Sequence, residues 1–413
     1  MNRCGVDFGT SNSAVALPSG RLLTVSPTAR DTRLFRSVLF FPEEETTYFA
    51  GEPAIEHYVS DGAGRFVQSV KSWLPSTSFR ATQIRNRMVT LEELVNLILR
   101  PLKAAAEASE GVTFDEVVMG RPAVFHPDPA ADALAERRLL NAAQSAGFQS
   151  VRFLIEPIAA ALTYEAQLTR DELVLVADFG AGTSDFTLIR LGPSRRGNPD
   201  RRTDVVGSSG LRIAGDRFDA AIMKHKLLPY FGEGTTYTQP FSTQRLPVPR
   251  HILSKLLSWH EMSFIREAST QGHIALMQKT GDRPETLDAL HDLVMENLGY
   301  QLFRAIEAAK VTLSTQEEAT VHFEEARISI HEQITRAEFD AFCRPLIDEL
   351  DTCVQGLFAK TGMPLKVDAV FLTGGTSQIP LVRDLFARRF GVDQLRTADA
   401  FTSVAEGLGR SCA

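Results

Sequence analysis

Two stretches of this chain repeat one chemical pattern: CGVDFGTSNSAVAL from Cys4 and LVADFGAGTSDFTL from Leu175. In each, an apolar run ends in Asp-Phe-Gly and opens into small hydroxyl residues and glycine. A phosphate needs converging backbone N–H donors and little side-chain bulk. Gly9, Thr10, Ser11 and Asn12 provide this in the first stretch, and Gly180, Ala181, Gly182 and Thr183 in the second. An aspartate ending a buried strand is costly without a partner or a cation, and Asp7 and Asp178 both stand there. Two such carboxylates facing each other suit Mg²⁺, which keeps several waters and takes few protein ligands. The pair of hairpin turns is therefore expected to clamp one phosphate chain and its metal from both sides. Asp-Phe-Gly also occurs in protein kinases, but His-Arg-Asp and G-x-G-x-x-G motifs are missing here, as is G-x-x-x-x-G-K-[ST].

The elements that position these residues read as two similar α/β halves. RCGVDFG, SAVALP, RLLTVSP and SVLFFP are short apolar strand patterns separated by turns. Thr90 and Glu93 form a capping box before LVNLIL, with Pro101 expected to kink or restart that helix. Strand EVVMGRP, a helix over about 132–146 stopped by Gly147, strand VRFLIEP and helix IAAALTYEA follow. In the second half LVLVADFG and DFTLIRL form a hairpin, and GPSRRGNPDRRTD is expected to be a solvated basic loop. RFDAAIMKHKLLPYF reads as a helix, 240–286 as mostly helical and about 288–313 as one long helix. Thr335 and Glu338 cap another helix, and strand AVFLTGG leads into helix IPLVRDLFARRFG.

Size and composition narrow the class. The 413 residues suffice for two or three domains, and the net charge of −7 argues against nucleic acid and anionic membranes as partners. No run of about 18 apolar residues suggests a membrane span, and the start lacks a signal-peptide pattern. Cys4, Cys343, Cys353 and Cys412 have no C-x-x-C spacing and read as reduced thiols of a cytoplasmic protein, Cys343 and Cys353 as core or half-buried. The nine histidines show no metal spacing.

Six segments in order resemble the ATPase domain of the heat-shock protein 70 family, within the superfamily of actin and sugar kinases. GVDFGTSNS and DFGAGTSDF are similar to its two phosphate loops, FLIEPIAAALTYE to its Glu-Pro segment and GLRIAGDRFD to its third phosphate-contacting turn. IEAAKVTLS resembles its adenosine helix and FLTGGTSQIPLV its second adenosine loop. SSGLRIAG and FLTGG bring it closest to the bacterial YegD-like branch.

The resemblance implies roles residue by residue. Lys71 would face the γ-phosphate and attacking water. Glu156 and Asp185 would order that water, with the Thr183 hydroxyl near the γ-phosphate and Asp7 and Asp178 at the metal. Gly215 and Asp216 belong to the third turn. Glu307, Lys310, Ser314, Gly374, Gly375 and Gln378 would contact ribose and adenine. Val311 and Gln378 replace arginines that sandwich adenine in the chaperones, and Ala181 replaces a loop glycine. Pro122 matches a relay proline, with Arg137 or Arg138 as its arginine partner. No peptide-binding β-domain, lid or linker is expected after GLGRSCA.

The expected fold is the α/β actin-like ATPase fold, a duplicated ribonuclease H-like motif in two lobes around a nucleotide cleft. Lobe I takes 1–168 and 395–413, with a small subdomain at about 39–111. Lobe II takes 169–394, with a small subdomain at about 229–311. The expected function is Mg²⁺-dependent ATP/ADP binding with slow, chaperone-like ATP hydrolysis, read out by a protein partner docking on the lobes. A nucleotide-gated module with little hydrolysis, a small-molecule kinase and an actin-like filament protein are the alternatives.

Overall fold

Both repeated stretches fold as hairpins. Strand Arg3–Phe8 runs antiparallel to Asn12–Ala16, and Glu172–Phe179 runs antiparallel to Ser184–Leu191. The structure is a computed structural model, and it describes residues 2–412 apart from 28, 30, 45, 62, 181, 197, 199, 260, 263–264, 266–267 and 398–401. Ala181 of the second loop thus lies outside the described residues. The chain divides into two units: Met1–Arg212, Leu350–Gln378 and Val382–Ala413 form the first, and Ile213–Glu349 with Ile379–Leu381 the second.

In the first unit each hairpin seeds a five-stranded sheet. One sheet runs Phe35–Arg36, Asn12–Ala16, Arg3–Phe8, Glu116–Arg121, Ser150–Ile155. The other runs Val205–Leu211, Ser184–Leu191, Glu172–Phe179, Ala369–Thr373, Leu395–Thr397. In chain order both sheets read third, second, first, fourth, fifth. The first three strands are antiparallel and the last two join in parallel. A parallel join needs a crossover. Helices Leu91–Glu110 and Pro129–Ser145 supply it in one sheet, and Arg336–Thr361 and Pro380–Phe390 in the other. Central strands covered on both faces need continuous apolar runs, which is why Val174, Leu175, Val176 and Ala177 are all buried.

Helices Glu156–Glu165 and Ser403–Arg410 pack backbone to backbone. A Cβ on Gly407 would lie 1.9 Å from the Ala159 carbonyl oxygen, and one on Gly5 would lie 2.2 Å from the Gly409 nitrogen. Ile158 and Ala161 of the first helix pack on Val174, Val176 and Ala369 of the second sheet. The same helix meets Val404 and Leu408 through Ala159 and Ala160.

In the second unit the helix Gly299–Leu313 packs on the hairpin Glu318–Glu325 and Ile328–Thr335, whose residues alternate buried and exposed. No described helix is long and apolar enough to cross a membrane.

Both capping boxes form, at Thr90 with Glu93 and at Thr335 with Glu338. Four local expectations are corrected. Helix Leu91–Glu110 does not restart at Pro101 but runs on through it, its buried stripe from Leu91 to Ala106 holding both sides of the proline. RLLTVSP makes only one isolated bridge, Leu22 to Ala16, since the chain turns back to bond Val25 to Thr32. The long helix at 288–313 is two, Pro284–Met295 and Gly299–Leu313, broken where Asn297 takes a left-handed φ of 57°. The basic loop is docked: Arg201 pairs with buried Glu165 and Asp204, and Arg196 donates to the Glu165 and Leu168 carbonyls. Two buried carboxylates and the negative end of helix Glu156–Glu165 draw these cations in; Arg202 remains exposed.

Gly407→Ala is expected to destabilise the protein by about 1–3 kcal/mol or more in urea unfolding, because backbone atoms must separate to admit the methyl. A change below about 0.5 kcal/mol would contradict this packing.

Candidate active site

The two repeated aspartates stand at the carboxyl ends of the first strands of their sheets, the edge where α/β sheets bind ligands. Asp7 lies opposite Ala14, while Asp178 lies opposite Asp185 on one side and Thr373 on the other. Opposed residues share a face of the sheet, so the carboxylates of Asp178 and Asp185 are neighbours. The second loop is a tight turn in which the Gly180 N–H donates to the Thr183 carbonyl at 2.8 Å. The Thr183 hydroxyl donates to Asp185 at 3.3 Å.

Lys71 rides on a 3₁₀ turn, Val70–Trp73, entered through Ser69 at a left-handed φ of 57°. Its ammonium donates to Glu156 at 2.6 Å, and both side chains are 11% exposed. Glu156 is the first residue of helix Glu156–Glu165, where Pro157 costs no hydrogen bond and a carboxylate meets the positive helix end. Its side chain lies across Gly120, where a Cβ would stand 3.0 Å from the Glu156 Cγ. Asp185 likewise lies across Gly210, where a Cβ would stand 2.5 Å from its Oδ1.

These groups share one electrostatic field. Burial, then Glu156, push Asp7 up to about 7. Burial, Glu156, Asp185 and Asp7 push Asp178 up to about 8. Burial and Glu156 push Asp185 up to about 6, against the lowering pull of Lys71 and Thr183. Burial alone would lower Lys71, but Glu156, Asp7 and Asp178 together hold it above the usual lysine range. Asp7, Lys71, Glu156, Asp178, Thr183 and Asp185 are thus brought together inside the first unit.

All the acidic groups offer oxygen, and one lysine faces four carboxylates, so a hard cation fits the charge. Among the described residues no three His, Cys, Asp or Glu side chains stand ready to hold an ion directly.

The FLTGG segment packs on the second hairpin. Gly374 has a φ of 84°, and a Cβ there would lie 1.9 Å from the Phe179 carbonyl oxygen. Gly375 opens a 3₁₀ turn ending at Gln378, which is exposed.

In the second unit, Gly215 and Asp216 open helix Gly215–Ile222. Lys310 bonds Asp219 at 2.8 Å and reaches the Gly215 carbonyl at 3.4 Å, tying that turn to helix Gly299–Leu313. Burial, then Asp219, raise Asp216 to about 7. Glu307 is half exposed and paired with Arg304. Ser314 turns its hydroxyl back onto the Lys310 carbonyl, and Val311 is 60% exposed.

Sequence reading missed three supports. Gly120 and Gly210 make room for Glu156 and Asp185, and glycine inside a strand is the signal that marks such close approach. Arg138, nearly buried, donates to the Leu74 and Ser76 carbonyls at 2.7 and 2.8 Å, bracing the turn that carries Lys71. The Pro122 carbonyl is bonded by Arg121, which also binds Asp132 and Glu136. Arg138, one of the two arginines expected beside Pro122, is instead committed to the Lys71 turn.

A family model described as Hsp70 protein matches residues 77–234 and 282–413, well over half the chain. The matched segments contain Glu156, Asp178, Thr183, Asp185, Asp216 and Lys310.

The raised acids set a pH dependence. A carboxyl raised from 3.8 toward 7 or 8 holds its proton in the fold and loses it when unfolded. The folded state then binds more protons between about pH 4 and 8, so stability from these groups is present below that window and lost as pH rises through it. Asp178→Asn is expected to raise stability without divalent ions at pH 8 by about 1–3 kcal/mol and by little at pH 4. Denaturant melts at both pH values check this; equal effects at the two would contradict the shared field.

Proposed function

The chain belongs to the Hsp70 family, and from that premise we propose that it is a Mg²⁺-dependent ATPase of slow turnover whose reacting groups are Asp7, Lys71, Glu156, Asp178, Thr183 and Asp185. Membership brings the actin-like ATPase fold and a nucleotide-binding, chaperone-type domain. The observation that carries the finer reading is the excess of buried carboxylates around Lys71, beside two hairpin turns of small residues.

Mg²⁺ bound through waters to Asp7 and Asp178 would offset negative charge on the β- and γ-phosphates. The phosphates are proposed to lie against residues 9–12 and 180–183, whose small side chains let the chain approach; the Gly180 N–H itself is spent on the Thr183 carbonyl, so the donors are the other N–H groups of the two turns. Lys71 offsets charge that develops on the transferring phosphoryl group, where a preorganised cation acts most strongly. Glu156 fixes the Lys71 ammonium through their 2.6 Å contact. Asp185 and Glu156 orient a water for in-line attack on the γ-phosphorus, and the bond to the β,γ-bridging oxygen breaks as the new one forms. Asp185 is the proposed acceptor of the proton that this water gives up. Lys310 and Glu307 are the proposed ribose contacts. With Val311 and Gln378 in place of stacking cations, adenine is held less tightly than guanidinium stacking allows. The segments SSGLRIAG and FLTGG support assignment to the YegD-like branch, and four free cysteines accord with a reducing cytoplasm.

ADP or ATP with Mg²⁺ is expected to stabilise the protein by about 2.7 kcal/mol at a hundredfold excess over Kd. Asp7→Asn and Asp178→Asn are expected to weaken Mg²⁺-dependent binding and hydrolysis while leaving the fold intact. Gly210→Ala is expected to cut hydrolysis more than binding, because the methyl displaces Asp185. Calorimetric titration and phosphate release check these outcomes. Wild-type Mg-ATP binding and turnover in both Asn variants would overturn the reading.

A further inference from the structure

One cation beside the first phosphate loop has no role in the account above. Arg36 stands opposite Asn12 in the antiparallel pair between Asn12–Ala16 and Phe35–Arg36. Its Nη1 donates to the Asn12 Oδ1 at 3.1 Å. On the other side of the guanidinium, Glu52 Oε2 lies 4.0 Å from Nε. The residues flanking Asn12 are also fixed. The Ser37 N–H donates to the Ser11 carbonyl at 2.9 Å, and the hydroxyls of Ser13 and Ser37 bond at 2.9 Å in a buried position. The backbone around Asn12 is thereby pinned from the neighbouring strand, and the remaining freedom is that of the amide itself.

Arginine has five donors and no acceptor, so the amide atom that faces it must be the oxygen. The Asn12 nitrogen, with two donor hydrogens, is then turned the opposite way, and among the described residues it has no protein acceptor. We propose that Arg36 is a positioning residue that orients the Asn12 amide so that its nitrogen donates to a phosphate oxygen of bound nucleoside di- or triphosphate. Without Arg36 the amide could present its oxygen, which repels a phosphate. With Arg36 a donor is set before the ligand arrives, so no ordering is needed on binding. The inference rests on the nucleotide reading above.

The test is a double-mutant cycle on Mg-ADP affinity by calorimetry, with Arg36→Met, Asn12→Ala and the double variant. Each single change is expected to raise Kd about tenfold, the usual size of one charge-supported hydrogen bond. The double variant is also expected near tenfold, because both changes remove the same contact. A hundredfold loss in the double variant overturns the proposal, since Arg36 would then act independently of Asn12. Arg36→Met with wild-type affinity overturns it as well. Arg36→Gln, run in the same cycle with Asn12→Ala, serves as a second route if Arg36→Met does not fold: its amide can meet Asn12 with either atom and no longer fixes which atom Asn12 presents. Retained melting temperature with at least tenfold weaker Mg-ADP binding supports the proposal, and wild-type affinity overturns it. A wild-type protein that binds no nucleotide overturns the underlying reading together with this proposal, whereas failure in the variants alone leaves that reading standing.

Discussion

Four carboxylates, those of Asp7, Glu156, Asp178 and Asp185, share a buried field with one ammonium, that of Lys71. Like charges gathered away from water are costly, so without a cation the cluster holds protons instead, and Asp7, Asp178 and Asp185 are all raised. Releasing those protons costs stability, which is why the cluster loses stability as pH rises. Many other features serve to hold the cluster in place. Arg138 braces the turn under Lys71, Gly120 and Gly210 open space beneath two of the acids, and Gly407 lets the C-terminal helix press on the helix that begins with Glu156.

Duplication is the economical way to build this site. Two sheets of one topology each end their first strand in Asp-Phe-Gly and turn back through a hairpin. The second copy adds Asp185 opposite Asp178, while the first has Ala14 opposite Asp7. Equivalent strands thus carry unequal chemistry: the first turn is braced by Arg36 and Ser37, and the second is packed by Gly374. The arginine-rich loop holds the far end of helix Glu156–Glu165, so both ends of that helix are fixed by charge.

The repeat of Asp-Phe-Gly, both capping boxes and the Glu-Pro helix start were legible because each depends on residues a few positions apart. The hairpins followed for the same reason. The break at Asn297 was hidden because left-handed asparagine carries only a weak local signal. The continuity through Pro101 was hidden because tertiary burial of the flanking leucines outweighs one missing hydrogen bond. The docking of Arg196 and Arg201 depended on Glu165 and Asp204 being buried, which no local pattern reveals. The role of Gly120 and Gly210 depends on Glu156 and Asp185, which lie over them from other parts of the fold. Lys71 was found through family likeness alone; its neighbours in sequence give no hint of Glu156, which is distant in the chain but in contact with it.

The central claim is that the carboxylate cluster is the seat of a hydrated divalent ion bound with a nucleotide. Crystals grown with Mn²⁺ and ADP, measured for anomalous scattering, test it most directly. The account predicts one strong peak about 4 Å from the carboxylate oxygens of Asp7 and Asp178, the distance spanned by a metal-bound water hydrogen-bonded to each. It also predicts phosphate density against residues 9–12 and 180–183. Nucleotide bound with no metal peak at this cluster, or with the peak and phosphates elsewhere on the protein, would contradict it.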